Sequence, residues 1–167
     1  SFRAFQPTQV AFADDYPRCA ASRTPSAKRL RPTTREEMAK AGAILGSGGI
    51  IVANEDTCAV NLTRNLVAFC QYESCGKCFP CRLGMSHLLE IVERIYRCEA
   101  RPGDMDLMRT IGRNMQLGSL CGHGQLGFNP VSSAIKYFEA DFRAHMEDKR
   151  CLTGQCAGPF ISPVKTR

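Results

Sequence analysis

The chain has 167 residues, 44% of them hydrophobic, and a formal charge of +6 from 22 basic and 16 acidic side chains. That length suits one domain, or one compact domain with an appendage. No apolar run approaches the roughly 18–20 residues that span a bilayer, so direct membrane insertion is not expected. Aromatic residues are few and do not interleave with the basic ones, which argues against nucleic acid as a partner. Neither a charged-then-apolar leader nor an initiator Met opens the sequence. A cytoplasmic chain, at most peripheral to a membrane complex, is the expectation.

In chain order, residues 1–9 read as one short strand. Residues 11–34 are polar, basic and punctuated by Pro17, Pro25 and Pro32, which predicts a long loop. Its cations, Arg18, Arg23, Lys28, Arg29, Arg31 and Arg35, suit a solvated segment; docking on an acidic partner surface is the alternative. Thr34 and Glu37 form a capping box for a helix over Arg35–Ala43. A glycine-rich turn, Gly46–Gly49, leads into a buried-type strand, Ile50–Ala53.

After residue 54 the apolar residues recur at intervals of three and four. Ala59, Leu62, Leu66 and Phe69 mark a first helix; Met85, Leu88, Leu89, Val92 and Ile95 a second. Leu107, Met108, Ile111 and Met115 mark a third, with Asp104 as its cap. Asn129, as N-cap before Pro130, opens a fourth that continues through Val131, Ala134, Ile135, Phe138 and Phe142. The predicted fold class is mainly α, a four-helix bundle. The predicted divisions are residues 1–53, 54–148 and a tail at 149–167.

Ten cysteines is a high count, and three of them, Cys75, Cys78 and Cys81, fall within seven residues. Disulfide scaffolds scatter their cysteines among loops, whereas this C-x2-C-x2-C spacing suits one metal centre in a reducing compartment. Three thiolates so spaced can wrap three corners of an iron–sulfur cube and leave the fourth iron to a distant cysteine. Cys121 is the candidate, because an up-down bundle puts the turn between helices three and four beside the turn between helices one and two. Lys77, Arg82 and the start of the second helix at Pro80 add positive potential next to an anionic cluster. A zinc ion accepts four cysteines too, so spacing alone leaves both metals open.

The segments ESCGKCFPCR (73–82), SLCGHGQ (119–125), NPV (129–131) and GSGGIIV (46–52) resemble the flavoprotein subunit of respiratory complex I. The same family includes the diaphorase-type subunits of NAD-dependent hydrogenases and formate dehydrogenases. The resemblance implies a [4Fe–4S] cluster on Cys75, Cys78, Cys81 and Cys121. That cluster takes electrons from FMN reduced by NADH and passes them to further iron–sulfur subunits. It also implies that residues 1–53 are the latter part of a β-grasp-like domain. The family's glycine-rich flavin and nucleotide segment is not found in these 167 residues. FMN and NAD(H) are therefore expected on a partner or an upstream segment, and no residue here is assigned to either. His123 stands where the family usually has an apolar residue, and reads as a solvent-facing loop histidine; a near-cluster tuning or proton-coupled group is the alternative.

A second metal set is predicted from topology. Cys151, Cys156 and His145 lie at or beyond the end of the fourth helix, and Cys58 lies at the start of the first, a neighbouring pole in an antiparallel bundle. Cys3His is a usual structural zinc set; free thiols are the alternative. Cys19, Cys70 and Cys98 have no evident partners. No Ser/His/Asp or Cys/His pattern converges, so no independent catalytic site is expected. The reading is an electron-relay part of an NAD(H)-linked oxidoreductase complex; the alternative is a zinc-bound structural component of such a complex.

Overall fold

The computed structural model describes residues 3–6, 9–12, 36, 51–53 and 56–156. The basic loop with Cys19, the turn at 46–49 and the tail beyond residue 156 lie outside the described residues. So does the helix expected at 35–43, except Glu36, which is helical. Three short strands, β1 (Arg3–Gln6), β2 (Gln9–Phe12) and β3 (Ile51–Ala53), form an antiparallel sheet in the order β2-β1-β3. Phe5 lies opposite both Val10 and Ile51. The first twelve residues thus hold two paired strands rather than one, with Pro7, which has no N–H to give to a ladder, between them.

Most described residues are helical. α1 (Ala59–Tyr72), α2 (Phe79–Tyr96) and α3 (Asp104–Gly118) are the long elements; α4 (Gly122–Leu126), α5 (Asn129–Tyr137) and α6 (Glu139–Met146) follow. α2 is central. It packs along α1 on one side and α3 on the other, while α5 and α6 lie against α1. Its buried stripe, Met85, Leu88, Ile91, Val92 and Ile95, meets Val60 and Val67 of α1, Met108 and Met115 of α3, and Val131 and Phe142. Each such side chain contributes roughly 1.5–3 kcal/mol by leaving water. At Gly112 of α3 a Cβ would overlap the Phe128 ring, so glycine sets how closely the chain before α5 approaches α3.

The fourth predicted helix is two. The chain breaks at Phe138 (φ −128°, ψ 39°), and α5 and α6 meet there. The break lets α6 turn its side chains onto the start of α1. Asp141 Oδ2 accepts the Ala59 N–H at 3.1 Å, serving one of the free donors of that helix end from another element. The predicted caps also shift by a residue. Asn129 is the first helical residue of α5, Pro130 the second, and Asp104 begins α3 after Gly103 in the left-handed region (φ +89°).

Candidate functional site

α1 ends at Tyr72, and residues 73–78 turn the chain back into α2. Gly76 takes a left-handed φ of +70°, which suits glycine and curls the loop. Ser74 Oγ holds the curl. It accepts the Gly76 N–H at 3.3 Å and lies 3.3 Å from Cys81 Sγ. Arg82, one turn into α2, donates to the Gly76 carbonyl at 3.3 Å. Cys78 is the extended N-cap residue of α2, Pro80 sits in its first turn, and Cys81 follows. This order places two thiols at the positive end of an 18-residue helix.

Cys121 arrives from the other side. It is extended (φ −136°, ψ 165°) between α3 and α4. The Leu120 N–H is the largest cause holding the Cys78 thiol below the ordinary thiol range. Burial opposes it, and the Cys81 N–H helps. Ser119 is buried, and its hydroxyl has no hydrogen-bond partner among the described residues. Cys81 shifts the other way. Burial pushes its thiol up, against the Ser74 hydroxyl, and the charges of Cys78, Cys121 and Cys75 push it further. The four sulfurs therefore share one electrostatic neighbourhood. Cys81 is buried, Cys78 half-buried, and Cys75 and Cys121 are exposed.

An iron–sulfur cluster suits this donor set. The candidate ligands are four cysteines, the Ser74 hydroxyl lies beside Cys81 Sγ, and the Cys78 thiol is held toward the thiolate form that iron needs. The loop after α3 is fitted to the triplet with no spare volume. A Cβ at Gly124 would lie 2.5 Å from Ser119 Oγ and 3.0 Å from Cys81 Cβ.

The second predicted set converges. The ligand atoms of Cys58, His145, Cys151 and Cys156 all lie within 4.8 Å of one another. Cys58 Sγ is 3.6 Å from His145 Nε2 and 3.3 Å from Cys156 Sγ. His145 is fully buried, and its Nδ1 donates to the Asp141 carbonyl at 2.7 Å. A carbonyl only accepts, so the proton is on Nδ1 and Nε2 faces the thiols, the outer contact that orients a metal-binding imidazole. The hydrogen bond from Cys156 is the main cause that brings the Cys58 thiol down to about 4; burial opposes it and the His145 contact adds to it. The same bond pushes Cys156 up. Burial disfavours the His145 cation, but Cys58 and the Asp141 carbonyl outweigh it and raise the imidazole to about 9. A metal cation there would be held by thiolates and a neutral imidazole, and its binding would release protons. α1, about 21 Å long, separates this set from Cys75, Cys78, Cys81 and Cys121.

Residues 61–145 match the family described as the NADH-ubiquinone oxidoreductase-F iron-sulfur binding region. The chain belongs to this family. It is similar to the NADP-reducing hydrogenase subunit HndC of Solidesulfovibrio fructosivorans, 36% identical over 133 residues, which cover 78% of this chain and 27% of HndC. It is also similar to the F 2 subunit of the NADH-quinone oxidoreductase of Rhizobium meliloti (strain 1021), 34% identical over 116 residues covering 70% and 28% of the two chains. Among solved structures, the NAD+-reducing [NiFe]-hydrogenase in its air-oxidized state superposes with a TM-score of 0.69 at 26% identity. That match covers 88% of this chain and 24% of the hydrogenase chain. The chain spans little more than a quarter of the length of these curated relatives.

Within this iron–sulfur binding region, two residues stand differently from expectation. His123 does not face solvent as an ordinary loop residue. It is half-buried, and its Nε2 lies 2.9 Å from the Cys70 carbonyl in the last turn of α1. Cys70 is half-buried, not isolated; burial and then the charge of Cys81 push its thiol up. Neither contact carries a local signal: Cys70 and His123 are 53 residues apart, and Cys70 and Cys81 lie on different helices. No helix of the described residues is long and apolar enough to cross a membrane.

Proposed function

We propose that Cys75, Cys78, Cys81 and Cys121 hold one [4Fe–4S] cluster through which this iron–sulfur region relays electrons. The donor is a flavin (FMN)/NAD(H) site, on a partner chain or on the rest of a longer protein. The acceptors are further iron–sulfur clusters of an oxidoreductase complex. In this reading residues 54–148 are the four-helix iron–sulfur domain, with α5 and α6 together as its fourth member. Residues 1–53 are the end of a β-grasp-like domain, and the complex is cytoplasmic.

The observation that carries the reading is the close approach of the Cys121 segment to the triplet, where a Cβ at Gly124 would lie 3.0 Å from Cys81 Cβ. The cluster supplies one-electron chemistry at a potential that its surroundings set. The chain's own residues set those surroundings. The N-terminal end of α2, Arg82 and the N–H groups of Leu120 and Cys81 favour added negative charge and so raise the potential. Exposure of Cys75 and Cys121 leaves that pole open to a redox partner.

Cys58, His145, Cys151 and Cys156 are assigned to a structural zinc ion, whose Cys3His preference their convergence meets. A zinc-bound structural component with no iron is the second reading, because this tight convergence is already built.

Cys121→Ala separates the two. The variant should lose the paramagnetic signal of the reduced four-iron cluster while its helical circular dichroism stays near wild type. A full cluster in the variant would remove Cys121 from the ligand set and with it the proposed topology.

A further inference from the structure

The fourth-ligand segment, Ser119–Gln125, runs from the end of α3 into α4 and is tied down by two hydrogen bonds. Gln125 Nε2 donates to the Ser119 carbonyl at 3.1 Å, which closes the loop on itself. His123 Nε2 reaches outside the loop, to the Cys70 carbonyl at 2.9 Å. That carbonyl belongs to the last turn of α1, where backbone acceptors have no partner within the helix. The neighbouring carbonyls of Phe69 and Gln71 are taken by the N–H groups of Glu73 and Ser74. A carbonyl can only accept, so His123 carries its proton on Nε2 and donates.

The anchor point matters as much as the bond. Cys70 is close enough to Cys81 for the charge of one thiol to act on the other. The end of α1 also leads into Ser74, whose hydroxyl lies 3.3 Å from Cys81 Sγ. The His123 bond thus fastens the segment bearing Cys121 to the helix end that positions Cys81. Gly124 presses on Ser119 and Cys81 beside it, but that contact only limits how near the loop comes. Nothing else among the described side-chain hydrogen bonds holds the loop to α1.

We infer that His123 is a positioning residue for the cluster: its Nε2–H bond to the Cys70 carbonyl fixes the Cys121 loop against α1 and so sets how firmly and in what geometry the fourth iron is held. The inference rests on the cluster assignment above. It concerns a bond of this chain and needs no change in the protonation of the imidazole.

The test compares the full chain, prepared anaerobically with its iron, as wild type, His123→Ala and His123→Gln. Gln keeps an amide N–H able to reach the same carbonyl; Ala does not. The readouts are the rate of iron loss to a ferrous chelator and the g-values and line width of the reduced cluster. One lost hydrogen bond corresponds to about three- to tenfold faster iron release in the Ala variant. A broadened or shifted signal should accompany it, with both effects largely restored in the Gln variant. Unchanged release and signal in the Ala variant would overturn the inference. So would equal damage in the Ala and Gln variants, which would point to lost volume rather than the bond. Wild type that binds no iron would sink the cluster assignment itself, a result visible before any variant is measured.

Discussion

Arg94 of α2 and Asp104, the first residue of α3, form a pair at 2.8 Å whose side chains are 17% and 4% exposed. Asp104 also accepts the Arg101 N–H at 2.9 Å, so one carboxylate closes the turn between the two helices. Burial alone would raise its pKa; the Arg101 N–H and the Arg94 guanidinium reverse that and hold it below the ordinary carboxylate range. A carboxylate whose folded-state pKa is depressed binds fewer protons folded than unfolded. Its contribution is therefore complete above the unfolded value of about 3.9 and is lost as pH falls through the folded value. Asp104→Asn removes the charge facing Arg94 but keeps an amide oxygen able to accept from it, beside the exposed Glu90. It should cost about 1–2 kcal/mol at neutral pH, the scale of a charge-assisted hydrogen bond that is partly kept. The gap in unfolding midpoint between wild type and variant should close as pH falls below about 4. A gap that persists unchanged into acid would mean that the pair contributes nothing through charge. Sequence reading placed Asp104 as the cap of this helix; the N-cap is Gly103, with no side-chain cap bond, and Asp104 follows as the first helical residue. Sequence reading could not find Arg94, because that partnership depends on the angle at which α2 meets α3.

At the scale of elements, the three long helices were legible because each carries an apolar stripe at helical spacing. The break at Phe138 was not. Val131, Ala134, Ile135, Phe138 and Phe142 continue one stripe across it, and no Gly or Pro marks it. Its cause is tertiary: α6 must present Asp141 to the Ala59 N–H and His145 to Cys58, and a straight continuation of α5 lacks the freedom to serve both. The same fact gives α6 a task beyond packing. It joins the start of α1 to the segment carrying Cys151 and Cys156, and a metal there would clamp three separated parts of the chain. Cys151→Ala should therefore lower bound zinc and the thermal midpoint while leaving iron content unchanged, read by elemental analysis and calorimetry on the same samples. Loss of iron in proportion to zinc would show that the eight ligands act as one site.

Over the whole molecule, the two cysteine sets occupy opposite ends of α1, with the core around α2 between them. The convergence of Cys58, His145, Cys151 and Cys156 was legible in the sequence. C-x2-C-x2-C is a local signal, and the up-down order of helices predicts which distant residues return to each end. The hydrogen bond from His123 to the Cys70 carbonyl was not legible, since the two residues are 53 apart and no spacing rule joins them. The central claim is that the pole bearing Cys121 carries a redox cluster. Metal analysis joined to low-temperature paramagnetic resonance of the dithionite-reduced, anaerobically prepared chain tests it most directly. The account expects about four irons per chain and a rhombic signal from a reduced [4Fe–4S] cluster. Zinc alone, with no signal, would contradict it and leave a structural component that shares the family's cysteines without its electron transfer.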